Sequence, residues 1–381
     1  MARKRDGKKK AKIRTDFKKK HEGRTRRIDL TRDYIGQPFD DENVSSERLS
    51  GKGALTRRRT VIGEEVADPD GGRSIQLEVD ESICQVGRVL SVHGLTSMVQ
   101  AESGNIVRCV PRGLLKSLHT DQRQIVAAGD RVLFRPEGDE EGFIERIEPR
   151  RGILSRTTRN RRHVIVTNVD QLLIIATAAE PALKPNLIDR YLVTAEKAKI
   201  RPVICINKID LVDLADLQPL AGVYGQMGYE VHFVSAINGF GMERLKSVFR
   251  GRETAVAGQS GVGKSSILNY VQPGLELRIA AVSTDNQKGR HTTTAAQLIP
   301  LEMGGFAVDT PGIRQFQLWD VIPTEVAGFF RDVRPYVSLC RFPNCTHTHE
   351  SNCAVKDAVA DGQLDARRFE SFCQICAGDD L

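Results

Sequence analysis

Apolar positions divide the chain into four stretches. Up to about residue 80 it is charged, punctuated by glycine and without apolar periodicity. So little apolar surface cannot offset the entropy of ordering, which predicts a largely disordered extension over residues 1–80. Across residues 81–150 short β-like segments follow at 84–92, 95–101, 105–110, 131–134 and 142–147, separated by glycine-containing breaks. Closely spaced strands of this kind predict a small all-β barrel, with the OB-fold the commonest intracellular type and another barrel or sandwich the alternative. From 151 to 320 the pattern changes again. Buried strands at 171–177 and 202–206, an amphipathic helix at 186–199, a strand at 231–234, a helix at 241–249 and a strand at 254–257 alternate in order. That is the signature of an α/β domain with a mainly parallel sheet. Residues 321–381 read as helical pieces around a group of cysteines.

No apolar run approaches the roughly 18–20 residues that a bilayer span needs. The N-terminus carries charge but no apolar stretch behind it, unlike a secretory signal. These features predict a soluble, cytoplasmic chain with no membrane partner. The net charge of +7 over 381 residues is unevenly spread. Residues 1–30 hold 14 Lys and Arg against four acids, so the rest of the chain is slightly acidic. Such a block attracts phosphate polyanions without reading sequence. It suits either a nucleic-acid arm or a solvated tail.

The strand at 254–257 runs into Gly258, Gln259, Ser260, Gly261, Val262, Gly263, Lys264 and Ser265, with Ser266 opening the helix beyond. This is G-x-x-x-x-G-K-[ST] in its proper strand–helix context. The glycines let backbone N–H groups wrap a phosphate chain, Lys264 reaches the terminal phosphates, and Ser265 offers its hydroxyl to Mg²⁺. The helix start adds its positive dipole end.

At the end of another buried strand lie Asn207, Lys208, Ile209 and Asp210. A carboxylate at Asp210 can accept from guanine N1–H and its exocyclic amine together, whereas adenine offers no matching donors. Buried polar complementarity of this type discriminates strongly between ligands. Lys208 can lie over the base with its stem, and Asn207 can tie neighbouring loops. Ser235 and Ala236, after the strand at 231–234, suit a backbone contact to guanine O6. The implied ligand is GTP or GDP with Mg²⁺. In ordinary GTPases the phosphate loop precedes N-K-x-D; here Asn207 precedes Gly258. Because termini lie at surfaces and often close together, old ends can be joined and new ones opened elsewhere. The order predicts a circularly permuted GTPase domain.

Asp309, Thr310, Pro311 and Gly312 fit D-x-x-G, with Asp309 holding Mg²⁺ through water and the Gly312 amide reaching the γ-phosphate. The next residue is Ile313, where many GTPases place a Gln that orients the attacking water. Isoleucine cannot do so. Between the phosphate loop and Asp309, residues 289–294 (Gly-Arg-His-Thr-Thr-Thr) stand where a first switch belongs. Of its threonines, Thr293 is favoured for Mg²⁺ and the γ-phosphate. His291 is the candidate for the missing water-orienting group, against a solvated loop histidine.

Five of the eight cysteines fall in the last 42 residues. Cys340, Cys345, His347 and Cys353 form a Cys₃His set that suits one structural, tetrahedral Zn²⁺, with His349 a competing ligand. Cys373 and Cys376 are a second pair, left outside the site.

These motifs together resemble the RsgA (YjeQ) family of small-ribosomal-subunit biogenesis GTPases. The resemblance covers about residues 83–376. It rests on the inverted order of N-K-I-D and the phosphate loop, on 289–294, on Asp309 to Ile313, and on the Cys₃His spacing. Residues 167–171 (Thr-Asn-Val-Asp-Gln) and 188–191 (Ile-Asp-Arg-Tyr) share it. It implies an OB domain at 81–150, a permuted P-loop GTPase at 151–320 and a small helical zinc domain at 321–381. It further implies a monomeric factor that binds the small (30S) subunit and its 16S rRNA in the GTP state and leaves after hydrolysis. It also supports His291 in place of the usual Gln. Permutation directs the second switch toward the zinc domain, which predicts that loss of the γ-phosphate moves that domain. The other class consistent with Ile313 is a nucleic-acid-binding module that reads GTP and GDP with negligible turnover.

Overall fold

A computed structural model describes residues 11–16, 58–67, 73–77, 79–112, 115, 125–158, 161–275, 296–309 and 322–378. The N-terminal extension departs in part from its expected disorder. Strands β1 (Ala11–Asp16), β2 (Arg58–Ala67) and β3 (Arg73–Leu77) form an antiparallel sheet in the order β1-β2-β3. The local cause is in β2, where Thr60, Val61, Ile62 and Val66 supply the β-branched residues that strands favour. The charge count hid them.

Five strands then close a barrel: β4 (Gln85–His93), β5 (Thr96–Ala101), β6 (Ile106–Pro111), β7 (Arg131–Glu137) and β8 (Glu141–Ile147). The order β4-β5-β6-β8-β7 returns to β4, and only β6 and β8 run parallel, which is the OB connection. In β5 and β6 burial alternates residue by residue, placing Val99, Val107 and Cys109 inward. They pack on Val89, Val132, Phe134 and Ile144, all essentially without solvent contact.

A hairpin, β9 (Leu154–Thr158) and β10 (Arg161–Val166), leads into the α/β domain. Its strands are β11 (Gln171–Thr177), β12 (Arg201–Asn207), β13 (Glu230–Phe233), β14 (Arg252–Ala257), β15 (Gln297–Pro300) and β16 (Gly305–Asp309). They lie in the order β13-β12-β11-β14-β16-β15, parallel except for β15. The continuous apolar runs of β11 and β12 follow from burial on both faces. Helices α1 (Pro185–Lys197), α2 (Leu214–Gln226), α3 (Met242–Phe249) and α4 (Lys264–Val271) cover the sheet. α2 carries no clear apolar stripe and contains Pro219, Gly222 and Gly225; its start is fixed by Asp213, which accepts from the Ala215 amide at 2.9 Å.

The barrel and the sheet are joined. β15 also pairs with β4, at Gln297 and Ser91, giving one sheet of eleven strands. Asp130, fully buried, accepts from the Ala127 amide, Arg150 and Thr167 at 2.7–2.8 Å. Asn168 donates to Gly129 O at 2.8 Å, and Arg88 pairs with Glu253 in the same seam. The segment 167–171 is therefore largely a domain joint: Gln171 continues it by donating to Val248 O and Thr254.

The C-terminal module consists of a 3₁₀ turn (Pro323–Glu325) and short helices α5 (Val326–Phe329), α6 (Arg334–Val337), α7 (Ala354–Ala360) and α8 (Ala366–Ala377). Its core of Val326, Phe330, Val333, Val355 and Phe372 is small. The module docks on α1. No described helix is long and apolar enough to cross a membrane.

Candidate nucleotide site and metal centre

The loops after β12, β13 and β14 meet at the carboxyl edge of the parallel sheet, where open α/β sheets bind ligands. β14 ends at Ala257, and Gly258 takes φ 151°. A Cβ there would sit 2.2 Å from Ile175 O, so the first loop residue must be glycine. Gly263, at φ 93°, opens α4, and a Cβ on it would strike the Asn207 side chain at 2.3 Å. Lys264 lies inside the loop, its Nζ donating to Gly258 O at 2.8 Å and Gln259 O at 2.6 Å. The ammonium is thus already turned toward the space the loop encloses.

Asn207, 2% exposed, is the tie between loops. Its Nδ2 donates to Val262 O at 2.9 Å, and its Oδ1 accepts from the Ala236 amide at 3.2 Å. Asp210 stands beside it in a short 3₁₀ turn with Ile209 buried beneath. The buried Ser235 hydroxyl donates to Asp210 Oδ1 at 2.5 Å, fixing the carboxylate's orientation. Lys208 adopts φ 60° and donates to Glu180 O at 2.5 Å. Phosphate loop, N-K-I-D and Ser235–Ala236 therefore share one edge, although they come in inverted order along the chain.

Asp309 ends β16, next to β14 in the sheet, so its backbone stands beside the strand that feeds the phosphate loop. His291, Thr293, Gly312 and Ile313 lie outside the described residues. Tyr191 of α1 escaped the sequence reading except as part of a resemblance. It is 3% exposed, and burial pushes its phenol up to about 12. Its signal was its place on the core face of an amphipathic helix, which also marks ordinary packing residues.

In the C-terminal module the ligand atoms of Cys340, Cys345, His347 and Cys353 lie within 4.8 Å of one another. Cys340 Sγ is 3.4 Å from His347 Nδ1 and 3.9 Å from Cys353 Sγ, and Cys353 Sγ is 3.6 Å from His347 Nδ1. Tetrahedral zinc with Zn–S of about 2.3 Å and Zn–N of about 2.0 Å places sulfurs about 3.8 Å apart and S and N about 3.5 Å apart. The donor set fits that ion, through Nδ1 of His347. His349 is turned outward, bonded to Thr348 at 3.1 Å, and does not join the cluster. Burial lowers the His347 pKa, favouring the neutral imidazole that a metal needs. Glu350 shapes the loop around it. It accepts from Thr346 N at 2.6 Å and Thr346 Oγ1 at 2.7 Å, and these bonds hold its carboxyl well below the usual range.

A model of the RsgA GTPase family matches residues 147–319. The chain is 39% identical over 334 residues to the small ribosomal subunit biogenesis GTPase RsgA of Saccharophagus degradans, covering 84% of this chain and 92% of that protein. The chain belongs to the RsgA GTPase family. A second RsgA, from Gemmatimonas aurantiaca, is 41% identical over 283 residues, covering 73% and 92%. Among solved structures, YjeQ from Thermotoga maritima superposes with a TM-score of 0.64 at 34% identity, covering 77% of this chain and 98% of that one. YloQ, described as a circularly permuted GTPase, gives 0.61 at 27% identity, covering 79% and 96%. RsgA membership accounts for the inverted motif order, and the chain is a permuted GTPase with an OB-like barrel.

Proposed function

We propose that this chain hydrolyses GTP to GDP and phosphate during late maturation of the small (30S) ribosomal subunit, binding the particle and its 16S rRNA in the GTP state and leaving after hydrolysis. The carrying observation is that Asn207, Asp210, Ser235 and the Gly258–Ser265 loop converge on one sheet edge. The names of its relatives support the ribosomal context. We take the chain to act as a cytoplasmic monomer, divided near residues 80, 150 and 320.

In this reading the loop amides bind the phosphate chain, and Lys264 exchanges its carbonyl partners for terminal phosphate oxygens. Asp210, held by Ser235, selects guanine. Ser265 and Thr293 would hold Mg²⁺, with Asp309 holding it through water, and the ion would supply neutralising charge to the phosphate chain. The Gly312 amide contacts the γ-phosphate. His291 orients the attacking water in place of the residue that Ile313 cannot supply. Cys340, Cys345, His347 and Cys353 would hold one zinc, which would supply cross-linking rather than chemistry, because four protein ligands leave no open position.

The test is GTP turnover with small subunits, with large subunits and with neither. Stimulation by small subunits alone is expected. Equal turnover in all three, with binding to small subunits retained, would favour a binding module that only reads the nucleotide.

A further inference from the structure

The loop between β11 and α1, residues 178–184, carries no nucleotide motif, yet it is fastened at two points to the turn that bears Asp210. β11 and β12 run parallel with Thr177 in register with Asn207, so both strands end together at the ligand edge. The Ala178 amide donates to Asn207 O at 2.9 Å, which carries the pairing one residue past the end of β11. Thr177, 2% exposed, donates through Oγ1 to Pro181 O at 2.5 Å. This bond curls residues 178–181 back over the strand end. The carbonyl just before it, Glu180 O, accepts from Lys208 Nζ at 2.5 Å and makes the second fastening. Thr177, Ala182 and Lys184 line one cleft with Gln259 and Val262 of the phosphate loop, so the curl stands at the nucleotide site and not apart from it.

The consequence falls on Lys208. An ammonium on a long flexible stem populates many rotamers, and ordering it opposes binding. Here the ammonium is already held by a main-chain carbonyl, so the stem spans the gap between the 207–210 turn and the 178–181 curl. Such a stem offers an apolar surface with its charge anchored at the far end. A flat base laid against it meets methylenes in a fixed place, and preorganisation of this kind raises affinity. The edge of the base is read separately, by Asp210, which Ser235 orients.

We propose that Thr177 is a positioning residue for the guanine nucleotide: by curling 178–181 it fixes the carbonyl that holds Lys208 against the face of the base. This rests on the guanine-nucleotide reading of the site. The device acts on the face of the base and not on its edge, so it raises affinity without contributing to the choice between guanine and its close analogues.

The test is a double-mutant cycle in the full-length protein, read as dissociation constants for GDP and for inosine diphosphate, which lacks the exocyclic amine. Thr177→Val keeps the shape and removes the donor. Both nucleotides should bind about three- to tenfold more weakly, the worth of one buried hydrogen bond, with the ratio between them unchanged. Thr177→Ser returns the hydroxyl and should bind both like the parent; a loss as large as valine's would overturn the proposal. Lys208→Met keeps an apolar stem without the ammonium, and Thr177→Val should add nothing to it, because both changes remove the same hold. Losses that multiply in the double variant would overturn the proposal. So would a ratio shifted toward inosine diphosphate, which would place the damage at Asp210. If Thr177→Val melts without a cooperative transition, hydrogen exchange over 178–184 in Lys208→Met decides. It should rise above that of the parent; unchanged exchange would overturn the hold. Failure of the parent to bind GDP at all would instead overturn the nucleotide reading beneath it.

Discussion

Asn207→Ala isolates what the inverted motif order must achieve, which is holding two distant loops in register. The Asn207 side chain makes two bonds, to Val262 O at 2.9 Å and from Ala236 N at 3.2 Å, in a position 2% exposed. Alanine leaves a carbonyl of the phosphate loop and an amide of the base loop unpaired. Each buried orphan costs about 1–3 kcal/mol. Water entering the space left by the amide recovers part of this, so about 2–4 kcal/mol is a reasonable total. Neither strand end depends on this side chain for its ladder bonds, so most of the loss should fall on the bound state, where both loops must be ordered together. Every 1.4 kcal/mol is tenfold in affinity, so GDP binding should weaken by about 30- to 1,000-fold. Titration of a fluorescent GDP analogue measures this, with a thermal melt in the absence of nucleotide as control for folding. A folded Asn207→Ala protein that binds GDP within threefold of the parent would refute the tie.

Asp210→Asn should weaken guanine nucleotides and favour xanthine nucleotides, since an amide donor opposite the base C2 position suits an oxygen there; competition between GDP and XDP reads this, and unchanged preference would reject the base assignment. His291→Ala should slow turnover about 10²–10⁴-fold, as loss of a positioned acid–base group does, with GTP affinity nearly normal; unaltered turnover would return His291 to an ordinary loop residue. Stripping the metal with a strong chelator should release one zinc per chain and expose Cys340, Cys345 and Cys353 to thiol reagents, because so small a core needs a cross-link. Thiol reactivity unchanged by the chelator would count against the site.

The nucleotide loops were legible because each carries a backbone demand that only certain residues meet. Gly258 and Gly263 stand where a Cβ would collide with Ile175 O or Asn207, and such positions print themselves in sequence. The Cys₃His set was legible for a similar reason: few other purposes bring three thiols and an imidazole together within 4.8 Å. What stayed hidden depends on contacts between distant segments. Asp189 and Arg368 are far apart in the chain and look like ordinary surface charges until α1 and α8 are packed. Asp130 and Thr167 form a joint that no local pattern announces. β2 was lost because its β-branched residues lie inside a charged stretch, and α2 because Pro219 and two glycines blur its period.

The two seams of this molecule are made differently. Barrel and sheet are sewn together with main chain, through β15 lying between β4 and β16. The C-terminal module is buttoned to α1 by side chains. A sewn seam opens only by unravelling secondary structure, whereas a buttoned one involves no strand pairing and rests on side-chain contacts such as Asp189–Arg368. Barrel and sheet are thus one body paired through main chain, onto which the C-terminal module is fastened through the side chains of α1.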